Sequence, residues 1–114
     1  MLIYDMEVRR GETFKEQLKL VDLDGKPIDL TGRTAKAQVR KNPGDATLIA
    51  EMSASHTNQK GAITIQLSAL QTKAMAVGTY YYDVCSYQTT SGVTNVKFYI
   101  GGKFKVLPSV TQAV

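Results

Sequence analysis

Apolar and polar side chains alternate along most of this chain. Phe14, Leu18 and Leu20 lead into a turn, Asp22-Leu23-Asp24-Gly25-Lys26-Pro27. Its Asp-Gly step supplies a positive φ and its proline halts pairing. Beyond Ile28-Asp29-Leu30-Thr31-Gly32, the residues Ala35, Ala37 and Val39 face one way and Lys36, Gln38 and Arg40 the other. A period of two marks a half-buried strand, because successive side chains leave opposite faces of the pleat. Asn42-Pro43-Gly44-Asp45 is a second turn cluster, followed by an inward row of Leu48, Ala50 and Met52. Residues 53–60 are polar and read as a loop, after which Gly61 opens a strand that buries Ile63, Ile65 and Leu67. Tyr80, Tyr82 and Val84 make another inward row, with Tyr81, Asp83 and Cys85 opposite. Thr89-Thr90-Ser91-Gly92 reads as a hairpin turn, and Val96, Phe98 and Ile100 as the inward row after it. Gly101-Gly102 is expected to break the ladder, and Phe104 and Val106 to end it before Pro108.

One segment departs from this pattern. Residues 68–76, Ser-Ala-Leu-Gln-Thr-Lys-Ala-Met-Ala, hold no turn former and are rich in helix formers. Ser68 can cap the start and Gly78 lies just past the end. The segment predicts a short helix crossing between two sheets, with Leu70 and Ala74 on one face. Strands spaced by roughly 8–12 residues with turn chemistry between them predict an all-β sandwich of about seven to nine antiparallel strands. Residues 1–108 then form a single sandwich domain, and residues 109–114 a flexible tail.

Composition narrows the function. The 114 residues are 43% hydrophobic and 21% charged, which suits one globular domain and argues against disorder. The single cysteine, Cys85, cannot form an internal disulfide, which favours folding in a reducing compartment. The start, Met1-Leu2-Ile3-Tyr4-Asp5-Met6-Glu7, has no apolar run of the length a signal peptide needs, so none is expected. No stretch approaches the roughly 20 apolar residues of a membrane span, so no membrane partner is expected. The net charge of +4 comes from scattered lysines and arginines rather than a dense patch, so no specific nucleic-acid partner is expected.

The candidate chemistry is sparse. His56, the one histidine, lies in the polar segment without Cys, Asp or Glu at ligand spacing, so no metal site is expected there and it reads as an exposed loop residue. No serine has a base other than His56, and Cys85 has no histidine near it in sequence, so it reads as an inert thiol on the outer face or at an interface. No catalytic, cofactor-binding or metal-binding residue is assigned, and an enzyme is not expected. Gly78-Thr79-Tyr80 enters its strand from the short helix. A buried tyrosine there can bond its hydroxyl back to upstream backbone and pin the crossover, making Gly78 and Tyr80 a candidate structural corner. Tyr81, Tyr87 and Tyr99 are predicted to point outward and form a candidate interface, since rigid aromatic rings are enriched where proteins dock. A homo-oligomer formed through this sheet is one such contact.

Several runs together resemble a known family. They are Arg10-Gly11-Glu12-Thr13-Phe14, Asp24-Gly25-Lys26-Pro27-Ile28-Asp29-Leu30-Thr31-Gly32, Gly61-Ala62-Ile63-Thr64-Ile65, Gly78-Thr79-Tyr80-Tyr81-Tyr82-Asp83-Val84 and Gly101-Gly102-Lys103-Phe104-Lys105-Val106. Their order over residues 8–107 resembles the immunoglobulin-like domain of tailed-phage and prophage structural proteins, such as the amino-terminal domain of the baseplate upper protein. The resemblance implies an immunoglobulin-like β-sandwich and a non-enzymatic virion protein of the tail or baseplate. Its partners would be other virion proteins. It would be found in the virion, or in the host bacterial cytoplasm before assembly. Two other functions fit a sandwich of this kind: a carbohydrate- or receptor-binding adhesion module, and a small head-decoration protein.

Overall fold

A computed structural model of the chain describes residues 1–56 and 61–114. Eight strands and one short helix follow one another among the described residues: β1 (Leu2–Ile3), β2 (Met6–Arg9), β3 (Phe14–Lys19), β4 (Thr34–Arg40), β5 (Ala50–His56), β6 (Ala62–Leu67), α1 (Ala69–Lys73), β7 (Gly78–Thr90) and β8 (Val93–Leu107). The protein is all-β with one helix, as the alternation predicts.

The strands follow one hydrogen-bonded path, β1-β8-β7-β4-β5-β6-β3, with β2 also on β8. The path curls into two layers because β5 changes partner along its length. Its first half, Ala50 to Met52, pairs with β4, and its second half, Ser53 to His56, pairs with β6. Leu18, Ile63, Ile65 and Leu67 from one layer meet Val39, Tyr82, Val84, Phe104 and Val106 from the other in one buried cluster. Phe14 of β3 meets Phe104 of β8 edge-on across this core, ring centroids 5.1 Å apart at 87°. That perpendicular arrangement sets the positive edge of one ring against the negative face of the other.

Two strands depart from the antiparallel expectation. β1 and β2 both pair parallel with β8, Leu2 opposite Ile100 and Met6 opposite Phe104. Gly101-Gly102 does not break the ladder: Asp83 pairs with Gly101 and Tyr82 with Gly102. The glycines are there for close approach. A Cβ on Gly102 would lie 2.6 Å from Asp5 Oδ1 and 2.8 Å from the Tyr4 carbonyl. Only a residue without a side chain lets the N-terminal strand lie this close, and Asp5 Oδ1 then accepts from Lys103 N at 2.9 Å.

The polar segment also differs from its reading. Residues 53–56 belong to β5 rather than to a loop, and residues 57–60 lie outside the described residues. His56 is therefore a half-buried strand residue, its Nε2 donating to the Arg33 carbonyl at 2.6 Å. Leu48 is 40% exposed in the connection before β5, whereas Met52 is buried.

The helix is capped at its start as expected, but it ends at Lys73 with Ala74 as its C-cap rather than at residue 76, and Gly78 opens β7. Ser68 Oγ accepts from Gln71 N at 3.1 Å and Gln71 Oε1 accepts from Ser68 N at 2.9 Å, a reciprocal capping box. Its buried face is not that of Leu70 and Ala74, which are exposed, but that of Thr72 and Met75. Thr72 Oγ1 donates to the Glu12 carbonyl at 2.8 Å and accepts from Gly11 N at 3.0 Å. These bonds tie α1 to the β2–β3 turn, so a hydroxyl and not a leucine orients the crossover between layers. Residues 108–114 run back past Arg9, Arg10 and Lys73, and Lys73 Nζ donates to the Val114 carbonyl.

Candidate interaction surface

The last two strands are the longest in the protein, and their hairpin outruns the sheet that supports it. β4 pairs with β7 only from Tyr81 to Tyr87, and β1 pairs with β8 only at Ile100 and Gly101. Gln88 to Phe98 therefore project as a two-stranded arm, closed by Ser91 and Gly92 with φ of 51° and 79°. Two consecutive positive φ values make a type I′ turn, whose twist matches that of the flanking strands.

A bulge at the base of the arm decides which side chains point where. Val84 pairs with Ile100 but Cys85 pairs with Phe98, so Tyr99 is the extra residue. One inserted residue reverses the phase of alternation beyond it. The sequence pattern points Tyr99 outward and Val96 and Phe98 inward. The structure does the reverse: Tyr99 is 8% exposed, Val96 51% and Phe98 50%. The three tyrosines read as an interface thus divide. Tyr81 and Tyr87 lie half-buried on the outward face, and Tyr99 sits in the core.

Tyr99 belongs to a polar network that sequence reasoning misses. Its hydroxyl lies 2.5 Å from Ser86 Oγ, and Ser86 is fully buried. Arg33, from the turn before β4, donates from Nε to Ser86 Oγ at 2.7 Å. Its Nη2 donates to the carbonyls of Ser86 at 3.1 Å and Asn95 at 3.2 Å, and to Asn95 Oδ1 at 3.1 Å. One guanidinium therefore grips both strands of the arm where it leaves the sheet. Its planar fork suits this, because several donors are fixed in one geometry. On the arm itself Thr89 and Thr94 pair hydroxyl to hydroxyl at 2.9 Å.

On the outward face, strand register places Phe98 beside Cys85 and Lys36, and Val96 beside Tyr87 and Thr34. Farther along, Tyr81 and Asp83 stand between Arg40 and Gln38 on β4 and Lys103 and Gly101 on β8. A cleft of about 460 Å³ opens here between the N-terminal strand and the turn after β4, lined by Met1, Ile3, Arg40, Tyr81, Asp83 and Lys103. A second hollow of about 370 Å³ continues over Lys36, Asp83, Cys85 and Phe98. Arg40 is held by the Asp45 carbonyl at 2.8 Å and Gln38 Oε1 at 2.6 Å.

Burial pushes the Asp83 carboxyl above its ordinary value, more than the Arg40 charge pulls it down. Burial, then the Asp83 charge, push the Cys85 thiol up against the opposing pull of Lys36. A thiol held in its neutral form is a weak nucleophile. At the other end of β7, the Tyr80 hydroxyl donates to the Ala76 carbonyl at 2.7 Å, and Lys41 Nζ lies 4.8 Å from the Tyr80 ring centroid. Gly78 begins the strand with a φ of 155°. Among the described residues no three His, Cys, Asp or Glu side chains gather as a metal site requires. No helix among the described residues is long and apolar enough to cross a membrane.

This arrangement of strands is found in a phage protein. The chain is similar in fold to the N-terminal domain of phage TP901-1 ORF48, with a TM-score of 0.61, 14% sequence identity, and 90% of this chain matched to 83% of that one. At that identity the likeness is one of fold. A family 123 glycoside hydrolase from Clostridium perfringens matches more loosely, at 12% identity and a TM-score of 0.41 over 24% of its length, too loosely to support any argument. No protein-family model matches the chain. No curated protein matches it in sequence.

Proposed function

We propose that this chain is a non-enzymatic structural domain of a phage or prophage particle, associated with the tail or baseplate. It would act by docking onto other virion proteins through the outward face of β4, β7 and β8. The observation that carries this reading is the half-exposed pair Val96 and Phe98 beside Tyr87, on an arm gripped at its base by Arg33. Apolar side chains presented on a pre-ordered arm bury area at little entropic cost. Two further facts support it: the run of motifs resembles phage structural domains, and the fold is shared with a domain of a phage protein. We read the two layers as an immunoglobulin-like sandwich, with the Tyr80 hydroxyl on Ala76 as its corner. Quantitative mass spectrometry of purified particles tests the reading. The chain is expected at a fixed ratio to the tail proteins, and its absence from particles overturns the proposal.

The cleft favours a second reading. The Tyr81 ring beside the Asp83 carboxylate is a pairing that a sugar ring can use, by stacking on one and hydrogen-bonding to the other. A glycan-array screen tests this adhesion role. Hits lost in Tyr81→Ala support it, and an array without hits removes it.

A further inference from the structure

We propose that the open edge of β8, from Val93 to Phe98, receives an extended segment of another protein as an added strand. We propose further that this segment alternates apolar and acidic residues. The proposal rests on the docking reading above and names the mode of contact and the chemistry of the partner.

The backbone of the arm supplies the first argument. Val93 to Phe98 pair with β7 on one side, and among the described residues no strand pairs with them on the other. The type I′ turn makes its own bond between Thr90 and Val93, so that pair is hydrogen-bonded. Antiparallel ladders alternate bonded and non-bonded pairs. Thr94, Val96 and Phe98 are therefore the non-bonded residues, and their N–H and C=O groups face the open edge. Unpaired groups in a row of this kind are a template for another strand.

Side chains supply the second argument. Register puts Thr94, Val96 and Phe98 on the outward face with Thr89, Tyr87 and Cys85, and Val93, Asn95 and Lys97 on the opposite face. An added strand would lay apolar residues beside Val96 and Phe98, and its alternate residues beside Lys97. The arm from Ser86 to Phe98 contains no Asp or Glu. The charged side chains on it or against it are Lys97, Lys36 and Arg33. An acidic residue next to Lys97 is thus complementary.

A second copy of the chain fits less well. A two-fold pairing centred on Val96 would set Lys97 of each copy on the same face, on a diagonal of about 7–8 Å. Each copy also carries a net charge of +4.

The test uses the whole chain, isotope-labelled for NMR, and a blocked six-residue peptide alternating glutamate and valine. The same peptide with lysine in place of glutamate is the control. The expected result is shifts centred on the amides of Thr94, Val96 and Phe98, with binding of the lysine peptide weaker by about two- to five-fold, the worth of one exposed charge pair. Val96→Pro removes an N–H that faces the open edge and leaves the β7 ladder intact. It is expected to abolish binding while the Thr89–Thr94 contact persists. Lys97→Glu is expected to reverse the preference between the peptides.

Shifts confined to the cleft around Tyr81, or equal binding by Val96→Pro, overturn the proposal. Broadening of the same amides with concentration and without peptide assigns the edge to a second copy, and also overturns it. Absence of peptide binding in a chain that still enters particles overturns strand addition and leaves the docking reading standing. Absence of the chain from particles overturns the docking reading itself.

Discussion

The Arg33 Nε lies 2.7 Å from Ser86 Oγ, joining the turn before β4 to a fully buried hydroxyl 53 residues away. Ser86 passes the contact to the Tyr99 hydroxyl, and the same guanidinium reaches Asn95 on the opposite strand. Removing the guanidinium leaves Ser86 and Tyr99 with fewer partners in a buried place. Arg33→Ala is expected to cost about 1–3 kcal/mol, the range for a buried polar group deprived of its partner. Hydrogen exchange should quicken in the arm before the rest of the sheet, because the clamp acts at its base. Unchanged stability together with unchanged exchange at residues 87–97 would contradict this role.

The close passage of the N-terminal strand over Gly102 leads to a second expectation. Gly102→Ala places a methyl against the Tyr4 carbonyl and Asp5 Oδ1, and overpacking of this kind costs about 1–3 kcal/mol. The strain should appear as loss of the bond from Tyr4 N to the Gly101 carbonyl, now 2.8 Å. Denaturant melting and exchange at the Tyr4 amide check it. A variant as stable as the parent, with Tyr4 still protected, would show that the strand does not depend on the glycine.

Asp83 gives a pH dependence with a definite sign. Its folded carboxyl titrates above the ordinary value of 3.8, chiefly because burial disfavours the charge. The folded state then holds the proton longer than the unfolded one. The contribution to stability is fully present below pH 3.8 and is lost as pH rises through the folded value. Asp83→Asn removes this loss. The variant is expected to match the parent at low pH and to exceed it in stability near neutrality. Chemical denaturation at several pH values decides, and a parent that gains on the variant as pH rises would reverse the assignment.

Most of the core could be read from the sequence, and the arm could not. Tyr80, Tyr82 and Val84, and likewise Ile63, Ile65 and Leu67, alternate without interruption, and each row is buried as its period requires. Val96, Phe98 and Tyr99 defeat the same rule because one bulged residue shifts the phase, and a bulge leaves no mark in hydropathy. The direction of β1 and β2 was equally hidden, since parallel and antiparallel edges share one alternation. The helix start followed from Ser68, but the helix ends at Lys73 well before Gly78, and its buried face was set by Thr72 bonding to the β2–β3 turn. The Arg33 network had no local signal at all, because its partners lie 53 to 62 residues away.

The account turns on docking through the arm, and Phe98 is the side chain to change. Phe98→Asp alters a half-exposed residue on the proposed contact, whereas Leu23→Asp alters an exposed residue in the turn after β3 and serves as the control. The measurement is the amount of each chain retained in purified particles, by quantitative mass spectrometry, with folding of both checked by melting. The account predicts that Leu23→Asp is retained at the parental level and Phe98→Asp is lost from particles while still folded. Equal retention of the two variants, or loss of both, would contradict docking through this face.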